Sequence, residues 1–122
     1  MFKKSTREFN VTETVNKVIS LVRDKAQSNE IEIRCSFENF PEHSFNIFSD
    51  EQRLKQVLLN ITSNAIKFTK KGFVHLKIKI IELGEYSYLQ VQVEDSGIGL
   101  SELEQKKLFK LFGMIEGNKQ LN

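Results

Sequence analysis

The chain has 122 residues, 39% of them apolar and 28% charged, which suits one ordinary domain with enough apolar side chains for a single packed pair of layers. Eighteen Lys and Arg against sixteen Asp and Glu leave a net charge of +2, which excludes a strongly basic nucleic-acid module and an acidic tail, while ten Phe exclude intrinsic disorder. The single Cys35 excludes an internal disulfide and a Cys-based zinc site, and the longest uninterrupted apolar run, Val57-Leu58-Leu59, is too short for a membrane span or a signal peptide, so a soluble, cytoplasmic setting is expected.

Taken in chain order, the first element is a helix near 11–27. Val11, Val15, Val18, Ile19, Val22 and Ala26 recur on one helical face, and Asn10 followed by Glu13 reads as a capping box. A strand at 31–37 follows, where Ile31, Ile33, Cys35 and Phe37 alternate with Glu32, Arg34 and Ser36. The region around Pro41 reads as a loop. A second helix spans 50–69, capped through Ser49 and Gln52 or through Asp50, with Leu54, Val57, Leu58, Ile61, Ala65 and Phe68 as its apolar face. Gly72, just past its lysine-rich end, suits a left-handed cap. Strands at 73–82 and 87–95 are joined by a turn at Gly84-Glu85. A last short helix near 102–111 opens with Ser101-x-x-Glu104. Each strand is half polar. The expected fold is therefore α/β (α+β): a two-layer sandwich whose sheet is covered by helices on one face.

Two groups of residues carry chemistry. Asn60, Asn64 and Lys67 lie at i, i+4 and i+7, within about 60° around a helix axis, on a strip expected to border the apolar stripe as a half-buried rim. Two amides and a lysine so aligned suit a metal–phosphate ligand, since an amide oxygen is a hard donor for Mg²⁺ and a lysine a point charge for phosphate. The same spacing also describes a solvated helix edge. Further on, period two puts Asp95 on the side of Leu89, Val91 and Val93, so a carboxylate arrives at the apolar face, followed by Gly97 and Gly99. Such an acceptor suits the exocyclic amine of a purine, and equally an Asx-type turn.

Together, in this order, the segments resemble a known family. Asp50 to Thr69 (DEQRLKQVLLNITSNAIKFT) closely resembles the N box of sensor histidine kinases, Val93 to Leu100 (VEDSGIGL) their first glycine box, and Leu108 to Phe112 (LFKLF) their F box. The resemblance covers roughly 9–116 and implies their Bergerat-type, mixed-sheet ATP-binding domain, shared more widely with gyrase-type, mismatch-repair and heat-shock chaperone ATPases. It implies ATP and Mg²⁺ as ligands, with Asn64 on the metal and Lys67 on the phosphates. Phe68 would line the pocket or simply belong to the core. Asp95 would accept from the adenine amine, with Gly97, Ile98 and Gly99 shaping that wall. Phe109 and Phe112 would pack at the base of the nucleotide lid or simply belong to the core.

In the hydrolytic branch the position of Asn60 holds a water-activating glutamate. Asparagine cannot serve as a general base, which favours phosphoryl transfer over hydrolysis. The acceptor would be a histidine on a separate phosphoacceptor (dimerisation) domain, and a response-regulator receiver domain would follow in the relay. The family pattern continues with a second glycine box that this sequence lacks. The resemblance thus implies a domain at 9–122, after a flank at 1–8, that is incomplete at its C-terminus. That departure also leaves open a degenerate, non-catalytic interaction module of the same fold, or a fragment without activity. His43 and His75 read as ordinary surface histidines. Lys67, Lys70, Lys71, Lys77 and Lys79 read as a solvated face, since no stacking aromatics are interleaved for nucleic acid.

Overall fold

A computed structural model describes residues 6–42, 44–69, 71–95, 105–111 and 113–114, with the backbone alone for 105–110 and 113–114. The elements are β1 (Thr6–Asn10), α1 (Val11–Ser28), β2 (Ile31–Glu38), β3 (Asn46–Asp50), α2 (Glu51–Phe68), β4 (Gly72–Leu83), β5 (Tyr86–Asp95), β6 (Gln105–Lys110) and β7 (Gly113–Met114). They form a four-stranded sheet in the order β2-β4-β5-β6 and a small sheet in the order β1-β3-β7. β2 and β4 run parallel, and α2 lies in the crossover that a parallel pair needs. The pairings β4–β5 and β5–β6 are antiparallel, so the sheet is mixed.

Burial follows period two. Val74, Leu76, Ile78 and Ile80 on β4 and Leu89, Val91 and Val93 on β5 are buried, while His75, Lys77 and Lys79 alternate with them at intermediate exposure. The buried set packs against Val15, Val18 and Val22 of α1 and Leu54, Leu58 and Ile61 of α2. This is the expected two-layer arrangement. On the polar face Lys77 pairs with Glu94 at 2.8 Å and Lys79 with Glu38 at 3.9 Å, and Lys71 pairs with Glu30 at 3.5 Å at the start of β4. Most of the lysines that could suggest nucleic acid are thus neutralised by carboxylates of this chain; Lys70 lies outside the described residues. His75 Nε2 lies 3.0 Å from Ser36 Oγ, and His43 lies outside the described residues.

Both helix starts are capped from side chains. Asn10 Oδ1 accepts from the Glu13 N–H at 3.0 Å. For α2 the cap is Asp50, whose Oδ1 accepts from the Arg53 N–H at 3.1 Å, while Ser49 is buried in β3. Gly84 occupies the first central position of the β4–β5 turn at φ +62°, the placement a type II′ hairpin favours.

Three expectations are corrected. Residues 105–110 form a strand, not part of a helix over 102–111; Ser101 and Glu104 lie outside the described residues. A ten-residue helix is marginal by itself. The edge of β5 offers a row of unpaired N–H and C=O groups, and β6 takes them from Tyr88↔Lys110 to Val93↔Gln105. Gly72 does not cap α2. The helix ends on Thr69 in extended conformation, and Gly72, at φ +124°, opens β4 instead. The buried stripe of α2 includes Thr62 and Ile66, leaving Val57 half-buried and Phe68 41% exposed, so Phe68 is not a core residue. The short strands β1 and β3 are additions to what the sequence pattern indicated.

Two outcomes follow for stability and reactivity. Leu58 is fully buried and Leu21 is 70% exposed. Leu58→Ala should therefore cost about 2–5 kcal/mol in urea unfolding and Leu21→Ala no more than about 0.5 kcal/mol. Burial pushes the Cys35 thiol up from 9.0 to about 11. Its thiolate is thus suppressed about a hundredfold near pH 8, and labelling by a disulfide reagent should be slow in the native protein and fast in urea. Because the unfolded thiol ionises first, this group's contribution to stability is present below pH 9 and falls as pH rises from 9 towards 11.

Candidate functional site

The site begins with the pitch of α2. Its 18 residues bury Leu54, Leu58, Ile61, Ala65 and Ile66. At about 100° per residue, the centre of that stripe lies about 145° from the strip carrying Asn60, Asn64 and Lys67. All three are exposed, so the strip faces solvent and is not the half-buried rim expected from the sequence. The core stripe is displaced towards Thr62 and Ile66, which turns the strip outward. Lys67 stands in the last turn, where a cation suits the helix dipole, and its Nζ lies 5.4 Å from the centroid of the Phe68 ring.

The N-terminal end of α2 is anchored by Glu51. Its carboxylate accepts from Thr14 Oγ1 at 2.9 Å, pairs with Arg7 at 3.2 Å and lies 3.7 Å from Lys17 Nζ. One half-buried carboxylate thus ties α2 to β1 and α1. This restrains the helix that carries the amides, a role the sequence did not signal.

Asp95 is the last residue of β5, opposite Val74 of β4. It continues the parity of the buried Leu89, Val91 and Val93 and is itself half-buried, as the alternation predicts. β5 and α2 pack on each other, so the strip and the strand end belong to one packed unit. Gly97, Ile98, Gly99 and Phe112 lie outside the described residues. Of the F box, Leu111 is buried and its N–H donates to the Ser87 carbonyl at 2.9 Å, while Phe109 belongs to β6.

A further feature escaped the sequence. A polar pocket of about 510 Å³ is lined by Ser28, Asn29, Glu30, Lys67 and Thr69, where α1 and α2 end side by side. Thr69 Oγ1 is buried and has no hydrogen-bond partner among the described residues, as is true of Thr62 Oγ1. Lys67 therefore borders this pocket as well as the amide strip. Nothing in the sequence couples 28–30 to 67–69, because only the fold brings the two helix ends together.

The donor set fits a magnesium nucleotide. It offers two amide oxygens one helical turn apart, an adjacent ammonium, and a carboxylate where a strand meets the core. Among the described residues there is no group of three His, Cys, Asp or Glu side chains that could hold a metal.

Comparison with known proteins bears on the family and the fold. The hybrid signal transduction histidine kinase C of Dictyostelium discoideum is 36% identical over 109 residues, covering 88% of this chain and 9% of that protein. The chain thus spans about a tenth of that relative's length. Among solved structures, full-length ShkA in complex with AMPPNP matches with a TM-score of 0.63 and 29% identity, over 81% of this chain and 20% of that one. The catalytic domain of histidine kinase ThkA, in a nucleotide-free form, matches with a TM-score of 0.54 and 27% identity, over 79% of this chain and 63% of that one. The α+β architecture is that of histidine kinase catalytic domains. The family model described as histidine kinase-, DNA gyrase B-, and HSP90-like ATPase matches residues 49–120, more than half of the chain, and the chain belongs to that family.

Proposed function

We propose that this chain binds Mg-ATP as the catalytic domain of a sensor histidine kinase and presents the γ-phosphoryl group to a histidine on a separate phosphoacceptor domain. The relay would continue to a response-regulator receiver domain, on the cytoplasmic side where ATP is available. The observation that carries the reading is the exposed strip of Asn60, Asn64 and Lys67 on a helix packed against the strand that ends in Asp95. Asn64 would supply an amide oxygen to Mg²⁺ and Lys67 a charge to the phosphates. Asp95 would accept from the adenine amine, beside a wall formed by Gly97, Ile98 and Gly99. Phe68 and Phe112 would flank the nucleotide. When bound, Mg²⁺ neutralises phosphate charge, and what this chain adds is position. Asn60 can orient a ligand or a water but cannot take a proton at neutral pH, which favours transfer over hydrolysis. No helix among the described residues is long and apolar enough to cross a membrane.

Titration calorimetry with Mg-ADP tests this reading. The native chain should bind, and Asp95→Asn should weaken binding by about tenfold or more, the effect of losing a hydrogen bond to a charged group. A folded native chain that binds no nucleotide would refute the reading. Asn64→Ala should weaken Mg-ADP binding by about tenfold while changing ADP affinity in EDTA by less than about twofold. Equal weakening under both conditions would remove the metal role from Asn64.

A further inference from the structure

On the outer side of the helix layer, α1 and α2 leave a groove of about 580 Å³ between them. Its lining includes the apolar Leu21 and Leu59 together with Lys17, Gln52, Lys55 and Gln56. Leu21 is 70% exposed, the most exposed large apolar side chain among the described residues. Gln56 and Asn60 are neighbours on the same helix, yet the groove is centred about 100° around α2 from the amide strip, so it is a separate surface.

We propose that this groove docks an amphipathic helix of a partner protein, about two turns long, with an apolar ridge and carboxylates along its flank. Two observations and one general constraint select that occupant. The first is length. The α2 side of the groove runs from Gln52 to Leu59, about 10 Å of helix, which matches apolar anchors at i, i+4 and i+7 on a helix laid alongside. The second is backbone satisfaction. An extended segment would need partners for its own N–H and C=O groups, whereas a helix brings its own. The third is charge. Both titratable side chains in the lining are lysines. Lys55 is half-buried and makes no ion pair among the described residues, and Lys17 reaches only Glu51, at 3.7 Å, a carboxylate already engaged by Arg7 and Thr14. The groove thus carries positive charge that an incoming carboxylate can answer.

The same charge disfavours a second copy of this chain, since groove against groove would set lysines against lysines. The concave shape disfavours a flat anionic bilayer.

The test uses the 122-residue chain and two stapled helical peptides of fifteen residues, each with Leu at i, i+4 and i+7, one flanked by Glu and the other by Lys. Fluorescence anisotropy should give the Glu peptide about tenfold higher affinity than the Lys peptide. Leu21→Ser should weaken the Glu peptide by about fivefold or more, and Lys55→Glu should invert the preference between the peptides. Circular dichroism checks that both variants fold. Equal binding of the two peptides, or an unchanged preference in Lys55→Glu, overturns the proposal. So does uptake by phosphatidylserine vesicles without peptide binding, or a dimer in sedimentation that Leu21→Ser abolishes. Neither variant should change Mg-ADP affinity by more than about twofold, so failure here is distinguishable from failure of the nucleotide reading.

Discussion

Much of this domain depends on how one helix rotates about its own axis. α2 can satisfy the core only with Leu54, Leu58, Ile61 and Ile66 turned inward, each of them almost completely buried. Burial of such side chains is worth about 1.5–3 kcal/mol apiece. A slip of one residue, about 100°, would expose several of them and drive the amides of Asn60 and Asn64 towards the core, where an unpaired polar group is costly. The apolar stripe therefore fixes where the amides point without any contact of their own. The Glu51 carboxylate, shared by Thr14, Arg7 and Lys17, restrains the N-terminal end of the same helix against sliding along that stripe.

The sheet applies the same logic through parity. β5 pairs with β4 over its whole length, from Val74↔Asp95 to Leu83↔Tyr86. Once Leu76, Ile78, Leu89 and Val91 are buried, every second residue is committed to one side, and Asp95 must approach the core. The polar face needs no such commitment. Its lysines pair with Glu94 and Glu38 in the open, where ion pairs add at most about 1 kcal/mol and leave the surface soluble. Specificity of register thus comes from the covered face, and solubility from the other.

What could be read from the sequence divides along these lines. α1, α2, β2, β4 and β5 each repeat their period several times, so their ends fall within two residues of the spans expected from pattern alone. β1 and β3 have five residues each, and their buried positions are Phe9 in one and Ile47 with Ser49 in the other, too few and too polar to show an alternation. The segment at 105–110 misled because its local signals favour a helix, whereas its conformation is decided by the open edge of β5, a tertiary fact. Within the candidate site, the relative placement of Asn60, Asn64 and Lys67 was legible from spacing, and that of Asp95 from parity. Their exposure was not, because the exact azimuth of α2 depends on Thr62 and Ile66 joining the core. The polar pocket at Glu30 and Thr69 was illegible for a simpler reason, since it is made by two helix ends far apart in the chain.

Placing the candidate donors on a helix and a strand end has an energetic consequence. A ligand held by loops must bear the cost of ordering them, which subtracts from affinity. Asn60, Asn64 and Lys67 stand on a helix whose other face is buried, and Asp95 ends a strand paired to β4 along its length. The separation between these groups is set by the packing of α2 on β5 before any ligand arrives. A ligand that bridged them would meet groups already fixed in separation, and the ordering cost of these four residues would fall mainly on side-chain rotamers, of which the lysine has the most to lose. By the same argument, a substitution in the core that lets α2 turn by even a fraction of a residue would weaken ligand binding without touching a single donor.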